Sequence, residues 1–420
     1  VSYTLDFTYC RFLYLTKHTT PLPTGEGLGV GLFSIFIFML KHFFLLLVSI
    51  ITLASCGDDD PTPSPVIPTT AQNTVFVFMP YTANDSGNNS LYPFLLTNIN
   101  DMERAIVENN GLGDTHLIIF ISNGPNKSNL INISYNKGKC VRDTVKTYDT
   151  ATYTSAEGIT ALLGDAKKYA PAKNYSMIVG CHGEGWLPAA KKTTRFFGGM
   201  KYQINITDLA QGIKKAGMSM NYIMFDDCYM STVEVAYDLR EVTNYLIAST
   251  SEMMDYGMPY HKTMKYLISS TPDYKALCDE FITFYNAYER PYGTIAVTRT
   301  AKIKEMAVLM KNINDNFTFN ENDIDKVQDL DAMHYNPTVY FDFGSYVHTM
   351  CKDDDATLDS FNKLLNELVP YKASTQYIYS YMGGSIEEVK EFSGLTISDP
   401  STNSVAVETK KQTAWWKATH

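Results

Sequence analysis

Six short, continuous apolar runs, at 75–79, 117–121, 175–180, 222–225, 245–249 and 294–298, limit what this chain can fold into more than any other feature. Runs without polar alternation are what strands show when both faces of their sheet are covered. Helix-patterned stretches lie between them: Leu95 to Glu108, a segment opened by Thr154-Ser-Ala-Glu157 and running to Tyr169, Thr207 to Ala216, and Ser231 to Arg240, with another near Ile303 to Asn312. Thr154 to Glu157 and Ser231 to Glu234 both have the form of a capping box, in which the first hydroxyl accepts from a backbone N–H and the Glu reaches back. The alternation predicts an α/β layered fold over residues 74–300, with a mostly parallel central sheet flanked by helices. Residues 301–420 are tyrosine-rich and less regular, and are expected to form a C-terminal subdomain packed on that core. Ligands in such folds sit beyond the carboxyl ends of the strands.

Two of those strand ends carry chemistry. Tyr222-Ile-Met-Phe225 leads into Asp226-Asp227-Cys228, so a thiol is delivered to a strand-to-helix corner. Tyr175-Ser-Met-Ile-Val-Gly180 ends in Cys181-His182-Gly183-Glu184-Gly185-Trp186, which sets an imidazole in a glycine-bracketed loop. If the two strands are parallel neighbours, His182 and Cys228 meet. A thiol is only a few per cent ionised at neutral pH; a nearby imidazolium and the positive end of a helix dipole both favour the thiolate. The backbone N–H groups of Gly183 and Cys228 are candidate donors to the oxyanion that forms when a thiolate attacks a carbonyl. Taken singly, a Cys after an apolar strand is most often a small core residue and a His-Gly pair a turn. Cys181, beside the His, reads as a buried strand-end residue.

His182-Gly-Glu-Gly-Trp186, together with Phe225-Asp-Asp-Cys-Tyr-Met-Ser-Thr-Val-Glu-Val-Ala-Tyr237, resembles the clostripain family of cysteine peptidases, in the caspase and gingipain clan. Weaker likenesses extend outward: Val75 to Asp85 to the family's first strand and loop, Ser251 to Tyr260 to the segment after the strand that follows the nucleophile, and Ser393 to Ile397 to its late strand. The resemblance implies a caspase-like fold and an endopeptidase with a Cys228/His182 dyad cleaving protein or peptide substrates after Arg or Lys. It places Asp226 at the floor of the P1 pocket, where its carboxylate would pair with the substrate cation, an interaction worth most when desolvated. Asp255 is the candidate second acid, with Glu252 as a rival; a turn carboxylate is the plainer reading of Asp226. The family usually has a small residue where Asp227 stands. Clan members are matured by a cut between the strands carrying His and Cys, and Lys191, Lys192 and Arg195 offer basic P1 residues there. Clostripain itself depends on calcium, but no calcium-loop spacing occurs in this chain. No metal site and no cofactor are expected.

The amino terminus carries a second signal. Lys41-His42 precede the apolar run Phe43 to Thr52 and then Leu53-Ala-Ser-Cys56, the pattern of a bacterial lipoprotein signal peptide, with Cys56 as the lipidated residue. Met39 is a natural start, so 39–55 is read as the signal and 1–38 as an upstream extension, a genuine long leader being the alternative. Lys41-His42 interrupt the apolar stretch, leaving each half short of the roughly twenty residues a membrane span needs. Residues 56–73, with Asp58 to Asp60 and prolines at 61, 63, 65 and 68, read as a solvated tether. The expected location is the bacterial cell envelope, lipid-anchored through Cys56 on the periplasmic face or the cell surface.

A net charge of −10 without any basic cluster argues against a nucleic-acid partner. Outside the leader, Cys140, Cys181, Cys228, Cys278 and Cys351 are odd in number and lack metal-ligand spacing, which implies neither a disulfide framework nor structural zinc. A monomer is expected. The alternative to an enzyme is a surface lipoprotein using the peptidase fold as a protein- or glycan-binding module, favoured by Asp227 and by 29 tyrosines.

Overall fold

The computed structural model describes residues 69–80, 91–124, 126–188, 197–199 and 202–420. The expected extension, signal peptide, Cys56 and most of the tether lie outside the described residues, as do Lys191, Lys192 and Arg195.

The strands, in chain order, are β1 (Ala71–Met79), β2 (Thr115–Ser122), β3 (Ser128–Asn136), β4 (Lys139–Tyr148), β5 (Ala172–Gly180), β6 (Phe197–Gly198), β7 (Gln203–Ile204), β8 (Met220–Asp226), β9 (Thr243–Ala248) and β10 (Thr294–Arg299). They are followed by β11 (Phe341–Asp342), β12 (Tyr371–Ser374), β13 (Tyr377–Ser380), β14 (Ser385–Glu388) and β15 (Thr396–Ile397). The main sheet runs β12-β10-β9-β8-β5-β1-β2-β3-β4. Its centre, β9-β8-β5-β1-β2, is parallel throughout. Both edges are antiparallel: β10 against β9 and β12 on one side, β3 and β4 on the other. All six apolar runs are strands of this sheet, although the 294–298 run lies antiparallel to its neighbour.

Chain direction decides which face each helix covers. From β1 the chain passes through α1 (Tyr92–Glu108) to β2 on one side, whereas from β5 it steps the other way through α3 (Ile206–Lys215) to β8 and α4 (Val233–Leu239) to β9. Right-handed crossovers in opposite directions put their helices on opposite faces. Accordingly α1 packs on α5 (Tyr260–Leu267), which packs in turn on α6 (Tyr274–Ala287), while α2 (Ala156–Tyr169), α3, α4 and α7 (Ile303–Asn316) form the second layer. Residues after 300 are not set apart from the sheet: β12 is its terminal strand, and 67–420 form one compact unit.

The helix starts fall one residue later than the capping boxes suggest. Ser155, not Thr154, caps α2, accepting from Gly158 N–H at 3.2 Å, and the exposed Glu157 pairs with Lys215. Thr232, not Ser231, caps α4, accepting from Val235 N–H at 3.1 Å. Glu234 is buried, where its carboxyl meets the Thr232 hydroxyl and also accepts Ser398 N–H at 3.2 Å. Burial, followed by the Asp399 charge, pushes its carboxyl up to about 8. The displaced Ser231 hydroxyl donates to Gly394 O at 2.8 Å, and Thr396 N–H donates to Ser231 O at 2.9 Å. Segment 393–398 thereby braces the corner that carries Cys228.

Candidate active site

The last registered pair between β5 and β8 is Gly180 opposite Asp226. Two residues further along each strand stand His182 and Cys228, on neighbouring parallel elements whose spacing is about 4.8 Å. The loops behind them are pressed together. A Cβ on Gly183 would come within 2.5 Å of Cys228 O and 3.0 Å of Cys228 N, so only glycine lets the two backbones approach this closely. His182 is fixed from its other side by paired backbone hydrogen bonds with Gly198, at 3.2 and 3.0 Å.

Asp227 clasps the two strand ends. Its carboxylate is buried and accepts the Cys181 N–H at 2.6 Å, with the Cys181 thiol donating to its other oxygen at 3.4 Å. Burial pushes the Cys181 thiol well up, with Asp227 adding to it, so this cysteine is held as a protonated, inward-facing strand-end residue. The residues at 181 and 227 form one contact, which gives the departure from a small residue at 227 a structural reason. Asp227→Ala should lower the unfolding free energy by about 1–3 kcal/mol, the cost of leaving buried donors unpaired. Urea titration measures this, and an unchanged midpoint would contradict the clasp.

Cys228 is half-buried and lies against the chain after β9: Met253 N–H donates to its Sγ at 3.2 Å, and the thiol faces Met253 O at 3.7 Å. Burial foremost, then the Glu252, Glu184 and Asp227 charges, push the thiol well up, against the pull of the Met253 N–H. The surroundings of Cys228 depart from the expected corner in one respect. α4 begins at Val233, so Tyr229 to Thr232 separate the thiol from the helix end. Tyr229 takes φ = 59°, a conformation rare for an aromatic residue, and its N–H donates to Ser251 O at 3.0 Å.

Asp226 is buried, and its Oδ1 accepts Met258 N–H at 2.7 Å. The Tyr260 phenol lies beside it, just outside hydrogen-bond geometry. Burial raises the Asp226 carboxyl to about 7 despite both neighbours. Gly257 packs on it so closely that a Cβ would fall 2.7 Å from Oδ1. Asp255 lies further out and pairs with Arg290 Nη1 at 3.3 Å. The Tyr285 phenol donates to Gly257 O at 2.7 Å, and both acids' charges reach it. Glu252 points elsewhere, accepting Tyr381 N–H at 2.9 Å. Sequence reasoning missed His334, whose ring lies between Glu184 and Glu252; no motif signals it, because three separate segments build that contact. Among the described residues, no group of His, Cys, Asp and Glu side chains could hold a metal ion, and no helix is long and apolar enough to cross a membrane.

A caspase-like sheet with a His loop and a Cys corner on adjacent strand ends defines a class, the clan of Cys/His peptidases. Residues 83–413 match the model of the clostripain family, and the chain belongs to that family of cysteine peptidases. A secreted C11 cysteine protease from Bacteroides thetaiotaomicron, "iotapain", is 44% identical, with a TM-score of 0.77 over 84% of this chain and 100% of its own. A clostripain from the same species, solved with the peptide inhibitor BTN-VLTK-AOMK, is 49% identical over 54% of this chain and 99% of its own, with a TM-score of 0.51. An inactive zymogen C11 protease from Parabacteroides distasonis is 26% identical, with a TM-score of 0.71 over 84% of this chain and 100% of its own. No curated protein matches the chain.

Proposed function

We propose that this chain is an exported cysteine endopeptidase that cleaves after Lys or Arg through Cys228 and His182. The observation that carries the reading is the β5/β8 register, which ends the two strands side by side with the Met253 N–H on the Cys228 sulfur. In this mechanism His182 takes the thiol proton, and the Cys228 sulfur bonds to the substrate carbonyl carbon. The N–H groups of Gly183 and Cys228 donate to the oxyanion. As the carbonyl re-forms, the peptide C–N bond breaks, and the amine leaves with the proton from His182. Water then attacks the thioester, giving its proton to His182, and the thiolate departs from the released acid.

Asp226 supports a basic P1 residue: it stands two residues before Cys228 at the end of β8 and its carboxyl is desolvated, while Asp255, paired with Arg290, is the candidate second acid further out. The clostripain inhibitor sequence VLTK, which ends in lysine, supports the same preference. A cut at Lys191, Lys192 or Arg195 would leave on its carboxyl-terminal side about 54% of the chain, the same share that the clostripain structure covers. Self-processing between His182 and Cys228 is therefore part of the reading. The secreted relative supports export, and the Leu53-Ala-Ser-Cys56 pattern supports anchoring through a lipid on Cys56.

A fluorogenic peptide panel varied only at P1, run with and without a calcium chelator, tests the specificity. Lys and Arg substrates should be turned over far faster than any other, and equal rates for neutral P1 residues would overturn it. Mass spectrometry of the mature protein tests the processing. It should find a lipid-modified Cys56 at the amino terminus and, in wild type but not in Cys228→Ala, a break after Lys191, Lys192 or Arg195. Residues upstream of Cys56 in the mature protein, or a single intact chain in fully active enzyme, would count against these two features.

A further inference from the structure

Three segments meet near Cys228. The His loop contributes Glu184, two residues after His182. The chain after β9 contributes Glu252, next to the Met253 backbone that touches the sulfur. The turn at 329–340 contributes His334, whose ring is nearly fully buried. Its Nε2 lies 3.4 Å from Glu184 Oε2 and its Nδ1 3.6 Å from Glu252 Oε2. Nδ1 also lies 3.2 Å from Ser380 Oγ on β13, and the ring packs on Tyr229 with centroids 4.9 Å apart. Tyr335 donates to Glu184 Oε2, and Tyr340, stacked on Tyr229 at 5.2 Å, donates to Glu184 O. In the same turn, burial and then the Asp329 charge push the Asp331 carboxyl well up, and the His334 ring pulls it back down.

A neutral imidazole can donate to only one of the two carboxylates: protonated on Nε2 it serves Glu184, and its Nδ1 lone pair, which the Ser380 hydroxyl can meet at 3.2 Å, leaves Glu252 at 3.6 Å without a cation. An imidazolium offers an N–H to both. The cluster then carries one net negative charge instead of two next to the nucleophile. We propose that His334 is a positioning residue of the active site: as an imidazolium between Glu184 and Glu252 it ties the His182 loop to the segment that cradles the Cys228 sulfur, and it cancels one of the two carboxylate charges facing that sulfur. The inference deepens the proposed function and rests on Cys228 being the nucleophile. Glu252 and Glu184 are two of the charges that push the Cys228 thiol up, so losing the cation between them leaves the thiolate harder to form.

The test is the rate of Cys228 alkylation by iodoacetamide as a function of pH on the full mature chain, read as the mass of the Cys228 peptide. In His334→Gln the midpoint should move up by about one pH unit, so that thiolate falls about tenfold at a pH below it. The turnover number kcat should fall in step, while KM stays within about twofold, because the P1 pocket is untouched. Glu252→Gln should move the midpoint down, the opposite direction, which loss of packing alone does not produce. An unchanged midpoint in a His334→Gln protein that melts cooperatively overturns the proposal, as does an upward shift in Glu252→Gln. If His334→Gln does not fold, the Glu252→Gln direction decides. A wild-type Cys228 no more reactive than a free thiol peptide at any pH overturns the nucleophile reading itself, and this inference with it.

Discussion

Replacing Cys228 or His182 by Ala should each lower kcat by roughly four orders of magnitude or more, with little change in the thermal melt. Members of a catalytic unit act together, so removing one costs nearly as much as removing both, and the double variant should be scarcely worse than either single one. Both residues follow strands whose partners are complete up to Gly180 and Asp226, so truncating a side chain past that point leaves the sheet intact. Steady-state assays on the three variants measure this. Additive losses, or near-normal turnover in either single variant, would remove the dyad.

Asp226→Asn should lower kcat/KM for Lys and Arg substrates by a factor corresponding to about 2–5 kcal/mol, the loss when a buried partner of a charged group is removed. Neutral P1 substrates should be little affected. The pH dependence follows from burial, which holds the Asp226 carboxyl at about 7 in the free protein. Below that pH the group is a neutral acid and attracts a cation weakly; above it the carboxylate is formed. The ratio of kcat/KM for a Lys substrate to that for a neutral one should therefore rise with pH through about 7 in wild type and be flat in Asp226→Asn. An Asn variant that keeps both the preference and the pH dependence would assign Asp226 to the turn it makes with Met258.

The parallel centre of the sheet was legible because its strands are covered on both faces and so read as unbroken apolar runs. The β3–β4 hairpin escaped the same criterion. β4 is an exposed edge strand, and its residues Lys139–Tyr148 alternate with charges that protect an open edge. Its turn did leave a trace, since Lys137 and Gly138 take φ of 49° and 83°, as a two-residue hairpin turn requires. The capping boxes slipped by one residue because tertiary contacts competed for the same side chains: Ser231 and Glu234 are engaged by the 393–398 segment, which lies more than 150 residues away in sequence. The placement of His182 and Cys228 at neighbouring strand ends was legible because each is fixed locally by the end of its own strand. Asp227 was legible only as an oddity, since its partner, Cys181, lies across a strand pair. His334 left no trace, because its surroundings come from three segments without a shared motif.

If Cys228 is the nucleophile of a peptidase with a basic P1 pocket, it alone should react with a substrate-like electrophile that ends in a basic residue. Reaction with a biotinylated peptidyl acyloxymethyl ketone ending in lysine, followed by peptide mass mapping, tests this most directly. One thioether per chain is expected, on Cys228 and not on Cys140, Cys181, Cys278 or Cys351. The label should be lost in His182→Ala and strongly reduced in Asp226→Asn. Label on another cysteine, or equal labelling by a probe ending in a neutral residue, would contradict it.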